Sequence, residues 1–238
     1  MAQPVYIYGL PGSPRELDLA DARDRFRAVS PFPDSMAELA GTPYPLDIHA
    51  FSLGAFAALR FAAEHPGRVA TLTLVSPAAP LGLGDFLPDM AGGVVFRTAR
   101  LSPTLFRALS ALQALAVRTD PARALDPMFA SSTPSERALA HSPATRGVFE
   151  HGLRHTFLRN RRAYTDTVLR YVAPWADTLP HIRAPVRIVA GTDDTWTPPA
   201  MAEALAEALP SRPVVEWVEG AGHYGALLAH LSSHSLTP

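Results

Sequence analysis

The stretch HAFSLGAF, residues 49–56, decides the fold. Ser52 lies between Phe51 and Leu53, with the small residues Ala50 and Gly54 two positions away on either side. Upstream, PLDIHAF (45–51) reads as a strand; downstream, LGAFAALRFAAEH (53–65) reads as a helix stopped by Pro66 and Gly67. A serine at such a junction has two readings. It caps the helix, or it sits on a sharp strand-to-helix turn, a nucleophile elbow, where helix and strand approach so closely that only small residues fit two before and two after it. Ser52 is the only serine in the chain with glycine two residues later.

Composition narrows the chemistry. The 238 residues suit one large domain or a core with an insertion, and 47% hydrophobic residues suffice for a sizeable core. There is no cysteine, which excludes cysteine nucleophiles, thiolate metal sites and disulfides. All 21 basic residues are arginine, which removes Schiff-base lysines and the phosphate-loop lysine. Acid–base work near neutral pH falls to the nine histidines and the carboxylates. A net charge of −1 gives no nucleic-acid footprint. No apolar run has the length of a membrane span and the start does not read as a signal peptide, so the expected compartment is the cytoplasm.

Moving outward from Ser52, strands and helices alternate. VYIYG (5–9), RFRAV (25–29), RVATLTLVSP (68–77), APVRIVAG (184–191) and PVVEWVEG (213–220) read as further strands. Ser13, Pro14 and Glu16 form a capping box after the first of them, and Thr197 and Pro198 open an alanine-rich helix ending near Leu209. Such alternation implies an α/β protein: a mostly parallel sheet of about six strands with helices on both faces. Residues 81–180 break the rhythm and read as an inserted helical lid, leaving 1–80 and 181–238 as the core. The terminal SSHSLTP reads as a frayed tail.

Two later strand ends deliver chemistry to the edge that carries Ser52. RIVAGTDDTWTPP brings Asp193 and Asp194 into a loop, and EWVEGAGHYGAL brings His223 into a glycine-rich turn. In a parallel sheet these loops share one edge. The chain order Ser…Asp…His is that of the hydrolase triad built on a strand–serine–helix turn.

On YGLPGS, AFSLG, GTDD and GAGH, each ending a strand in the right order, the chain resembles the α/β-hydrolase-fold superfamily over roughly residues 4–77 and 175–230. The resemblance implies Ser52 as nucleophile, Asp194 as acid and His223 as general base. The backbone N–H groups of Leu10 and Leu53 would form the oxyanion hole. It implies two-step acyl transfer on a small or medium apolar carboxylic ester, through an acyl-enzyme, with no metal or organic cofactor. An acyltransferase, a thioesterase, a carbon–carbon bond hydrolase or a non-catalytic binding protein could use the same scaffold. The chain departs from the family pattern in four places. Ala50 replaces the usual glycine. Tyr8 replaces the common histidine before the oxyanion-hole glycine. The family's first two strands have no counterpart. The segment from YGLPGS to Ser52 leaves little room for a full helix. RFRAV then becomes an edge strand, either blunted by Arg25 and Arg27 or covered by a second subunit in a homodimer.

Other signals are weaker. His151 and His155, and again His230 and His234, stand four apart as metal ligands can, but no Glu follows His151 as a zinc protease motif requires, and the pairs read as solvated lid-helix and tail positions. The arginines of RNRRAY (159–164) either steer an acidic substrate or coat a solvated face. His49 reads as a core or loop-supporting residue rather than a base. The apolar segments 86–96 and 105–117 either line an acyl pocket or pack the lid on the core.

Overall fold

The computed structural model describes residues 4–42 and 45–233. Six strands form one wholly parallel sheet: β1 (Val5–Ile7), β2 (Arg27–Val29), β3 (Leu46–Phe51), β4 (Val69–Val75), β5 (Val186–Gly191) and β6 (Val215–Val218). Their order across the sheet is β2-β1-β3-β4-β5-β6. Tyr6, Ile7, Ile48, Phe51, Leu72, Leu74 and Ile188 are buried, as expected of strands covered on both faces.

The order fixes where a site can form. From β1 the chain steps outward to β2, then crosses back to β3 on the other side of β1. Such a reversal opens a crevice at the carboxyl ends of β1 and β3. Because parallel crossovers are right-handed, connections running in opposite directions lie on opposite faces. A 3₁₀ segment, Pro14–Ala20, links β1 to β2 on one face. Helices α1 (Pro33–Ala40), α2 (Gly54–Glu64) and α9 (Pro199–Ala208) serve the rightward crossovers on the other. The last helix, α10 (His223–Ser233), packs beside the 3₁₀ segment.

Between β4 and β5 the chain forms only helices: α3 (Gly93–Leu101), α4 (Pro103–Thr119), α5 (Pro121–Phe129), α6 (Pro134–His141), α7 (Arg146–Arg154), a π-helical turn (His155–Arg159), α8 (Arg161–Val172) and a 3₁₀ segment (Ala176–His181). Proline at the first turn recurs in α4, α5 and α6, each preceded by a Ser, Asp or Thr cap that accepts from a backbone N–H of the first turn.

Four sequence expectations are corrected here. The segment before β3 does hold a helix, because Pro33 starts α1 directly after β2 and eight residues suffice to return. Ser13 caps a 3₁₀ segment rather than an α-helix, and the Glu16 carboxylate turns inward to Tyr6 and Gly9. Strand β2 is an edge strand, but it begins at Arg27; Arg25 lies before it and donates to the carbonyls of Ala20 and Leu231. His230 is not in a frayed tail. It is buried in α10, 2.9 Å from His49, and Ser232 and Ser233 also belong to that helix, whereas His234 lies outside the described residues.

The approach of α2 to β1 is the tightest constraint on the elbow. A Cβ at Gly54 would lie 2.5 Å from the Ile7 carbonyl oxygen and 2.7 Å from that of Tyr8. Both are backbone atoms and cannot swing aside. In a free helix Gly→Ala stabilises, but here overpacking opposes it. Gly54→Ala is therefore expected to lose about 2 kcal/mol in urea unfolding. A midpoint equal to or above wild type would contradict the close-packed elbow.

Candidate active site

Ser52 follows the last residue of β3 and has φ 55°, a left-handed conformation unusual for a side-chain-bearing residue. Holding it there costs on the order of 1–3 kcal/mol, which the surrounding packing must supply. Its amide donates to the Val75 carbonyl of β4, and its own carbonyl accepts from Ala55 and Ala78. The turn thus lifts the hydroxyl off the sheet edge into a cavity of about 300 Å³.

Leu10 follows β1 and Leu53 follows Ser52, and both line that cavity. Among the described residues neither amide donates to a protein acceptor. Two unpartnered N–H groups on residues that share a cavity with Ser52 are the donor type that an oxyanion requires. The Leu10 loop is supported from below: Gly9 N–H donates 3.2 Å to Glu16 Oε2, which also accepts from the Tyr6 hydroxyl at 2.7 Å. Burial pushes the Glu16 carboxyl up to about 8, against the opposing effect of those hydrogen bonds. Tyr8, in place of the family histidine, is also buried, and its hydroxyl lies 3.0 Å from His155 Nε2.

Asp194 and His223 come together across the ends of β5 and β6. Asp194 Oδ2 is 2.8 Å from His223 Nδ1, and both side chains are essentially inaccessible. Asp194 Oδ1 accepts from the Trp196 and Thr197 amides at 2.8 and 2.9 Å, an Asx turn that fixes the carboxylate. Asp193 points outward, its side chain exposed. His223 Nε2 is buried and has no hydrogen-bond partner, so Ser52 is not hydrogen-bonded to it here.

Thr197, Trp196 and Glu136 support the pair in ways not anticipated from the sequence. Thr197 Oγ1 sits 3.0 Å from Asp194 Oδ2 and 3.2 Å from His223 Nδ1, and donates to the Ser76 carbonyl. The Trp196 ring stacks on the His223 imidazole, with centroids 5.4 Å apart and planes 7° apart. Glu136 reaches in from α6. Its Oε1 accepts from Tyr224 N–H at 2.5 Å and Gly225 N–H at 3.4 Å, at the start of the helix that opens with His223. Burial raises the Glu136 carboxyl, while the His223 charge and the Tyr224 amide oppose that rise. Gly222 makes room for it, since a Cβ there would come within 2.4 Å of the carboxylate. The readable cue was the Thr-Pro-Ser-Glu cap of α6 (133–136), where a carboxylate three residues after the cap could turn back or turn away.

The helical segment between β4 and β5 supplies most of the cavity wall. Met90, Val95 and Phe96 come from the first apolar segment, and Gln113, Ala116 and Val117 from the second. Phe86 of the first and Phe106 of the second pack into the core, so each segment does both of the things its composition allowed. His151 is 3.0 Å from Ser13 Oγ, and among the described residues no cluster of three metal-ligating side chains occurs. Burial depresses both His151 and His155, with nearby arginines and, for His155, its histidine neighbour adding to it. Arg159, Arg161 and Arg162 are exposed.

A parallel six-stranded sheet in the order β2-β1-β3-β4-β5-β6 with helices on both faces, a strained serine after β3 and an Asp–His pair at the ends of β5 and β6 accords with the α/β-hydrolase fold. The chain belongs to the alpha/beta hydrolase family, whose model matches residues 2–235. Among solved structures it is similar to a thermophilic esterase from Thermogutta terrifontis, at 17% identity and TM-score 0.64, covering 99% of this chain and 88% of that one. It is similar to the enol-lactonase from Burkholderia xenovorans at 15% identity and TM-score 0.62, covering 99% and 91%. An esterase from Exiguobacterium antarcticum aligns at 15% identity and TM-score 0.59, covering 98% and 89%. Among curated proteins no sequence match was found.

The buried Glu16 predicts a pH effect on stability. In the unfolded chain its carboxyl titrates near 4.5; in the fold it titrates at about 8. The folded state therefore binds this proton more tightly. The stability it contributes is full below about 4.5 and is lost as pH rises through about 8. Glu16→Gln should remove that decline, so the urea-unfolding difference between variant and wild type grows in the variant's favour across the window. A difference independent of pH would contradict the assignment.

Proposed function

We propose that this protein is a serine hydrolase that cleaves a carboxylic ester of a small or medium apolar substrate. The observation that carries the reading is the Ser52 turn: a strained serine facing a mostly apolar cavity, with two unused backbone amides beside it and the Asp194–His223 pair behind.

His223 Nδ1 donates to Asp194, which fixes the tautomer and leaves Nε2 free to take a proton. The Ser52 hydroxyl attacks the ester carbonyl carbon as His223 accepts its proton. The tetrahedral oxyanion is held by the Leu10 and Leu53 N–H groups; losing one such donor typically costs roughly 3–4 kcal/mol of barrier. The intermediate collapses, the alkoxide leaves with the proton from His223, and an acyl-Ser52 ester remains. Water, deprotonated by His223, then attacks that ester, releasing the acid and restoring the serine. The Trp196 stack and Thr197 hold the imidazole in place without taking part in proton transfer. The apolar wall supplied by Met90, Phe96, Ala116 and Val117 favours an apolar acyl or aryl group over a charged one. The likeness to esterases and a lactonase supports the fold on which this chemistry rests. No metal or organic cofactor has a step in this sequence of reactions.

The test is a panel of p-nitrophenyl esters of increasing acyl length, assayed with wild type, Ser52→Ala and Asp194→Asn. Wild type should turn over short and medium chains, Ser52→Ala should fall by about 10⁴–10⁶ in kcat, and Asp194→Asn by about 10⁴. Equal activity in wild type and Ser52→Ala would overturn the reading. Glu136 is a positioning residue in the same scheme. Glu136→Ala should lower kcat about tenfold, the equivalent of one charged hydrogen bond, with KM unchanged because Glu136 is not on the cavity wall. Glu136→Gln, whose amide oxygen can still accept from Tyr224 and Gly225, should recover most of it; a loss appearing in KM alone would contradict the role.

A further inference from the structure

The helices that wall the cavity expose an unusual outer face. Val94 is 71% exposed, Leu101 79%, Leu105 63%, Leu112 64% and Leu115 60%. Leu158, on the π-helical turn that packs against α4, is 42% exposed. Among the described residues, the other large apolar side chain exposed to this degree is Val214. Scattered exposed leucines need no explanation, but a cluster of this kind does. On α4 the exposed positions Leu105, Ala108, Leu112 and Leu115 recur at spacings of three and four, so they form one stripe. The opposite side of the same helix carries the buried Phe106, Ser110 and Val117. Helix α4 is therefore apolar on both sides, and only the inner side has a partner.

Charge decides what covers the outer side. From Met90 to Thr119 the chain has four arginines, Arg97, Arg100, Arg107 and Arg118, and no carboxylate, although the whole chain carries −1. All four are exposed. Arg107 lies 4.0 Å from Asp166, while Arg97, Arg100 and Arg118 make no ion pair among the described residues. A second copy docked through this stripe would bring arginine-rich flanks together, with Arg97, Arg100 and Arg118 offered no matching row of carboxylates of the kind that pairs helices across such a seam. Exposed apolar side chains flanked mainly by cations, of which three make no ion pair among the described residues, match the interfacial amphipathic helix, whose leucines enter the acyl boundary while its cations meet anionic headgroups.

We propose that the outer face of α3 and α4 docks the protein onto an anionic lipid surface. No helix among the described residues is long and apolar enough to cross a membrane, so the contact is peripheral. The inner sides of the same two helices contribute Val95, Phe96, Ala116 and Val117 to the cavity that holds Ser52. Docking would therefore set the cavity wall against the phase in which an apolar ester concentrates. That last link rests on the proposed hydrolase function; the docking itself does not.

The experiment is co-sedimentation of the full chain with vesicles of phosphatidylcholine alone, or of phosphatidylcholine mixed with phosphatidylglycerol. Binding to the mixed vesicles should be at least about tenfold stronger and should weaken with added salt. A Leu112→Glu, Leu115→Glu double variant should lose binding to both. An Arg97→Ala, Arg100→Ala, Arg118→Ala variant should lose only the advantage of the anionic vesicles. These side chains are exposed and off the cavity wall, so folding, checked by thermal melting, should be unchanged. No sedimentation with either vesicle would overturn the proposal, as would equal binding by the leucine variant and wild type. A dimer in sedimentation equilibrium that Leu112→Glu dissociates would assign the face to a second copy and overturn it too. Since binding is read without turnover, failure of the hydrolase reading would leave this result standing.

Discussion

The contact between the start of α2 and the end of β1 governs the site. Gly54 lies so close to the Ile7 and Tyr8 carbonyls that no side chain fits, and that closeness keeps Ser52 in its left-handed turn. The same contact brings the Leu10 and Leu53 amides to one cavity from two different strands. A looser junction would let the serine backbone relax into an ordinary cap, and the two amides would separate. The strain at one residue is thus held by the packing of a parallel sheet buried on both faces.

The helical segment between β4 and β5 is tied to the rest of the chain at the Asp–His pair as well as over the cavity. Ser132 accepts from the Trp196 indole at 3.0 Å, and Trp196 stacks on His223. Glu136 takes the first amides of α10 directly after His223. A carboxylate at a helix N-terminus is favoured by the local dipole and by the two amides it accepts from, against the cost of its burial. Both loops that carry the pair are therefore braced by residues from α6 and the turn before it. The segment that shapes the cavity wall also helps to hold the histidine. The outward leucines of α4 belong to this same segment, so wall, brace and exposed face share one set of helices.

The six strands were legible because each is a short apolar run ending in Gly, Ser or Pro, and the parallel order followed from their alternation with helices. The elbow was legible because steric closeness restricts residue type: Ala50, Ser52 and Gly54 report it directly. Asp194 and His223 could be named because each follows a strand, although choosing Asp194 over Asp193 needed the family pattern. Glu16 and Glu136 are not legible because their roles depend on long-range approach, and Thr197 because its hydroxyl turns from a helix start to Asp194, His223 and the Ser76 carbonyl. Glu16 looked like a cap and turned out to be a buried support, and Glu136 lies 88 residues from the amide that it meets. His230 was misread because a polar, histidine-bearing C-terminal stretch resembles a tail, whereas its partner His49 lies 181 residues away. Helix α1 was missed because the length between the first strand and Ser52 was judged without allowing for how short β1 and β2 are.

The central claim is that Ser52 is an activated nucleophile. The most direct measurement is labelling of the folded protein with a fluorophosphonate probe, which phosphonylates activated serines, read by peptide mass spectrometry beside Ser52→Ala. The account predicts one adduct, on the peptide containing Ser52, and none in the variant. An intact, folded protein that takes up no probe, or an adduct that persists in Ser52→Ala, would contradict it.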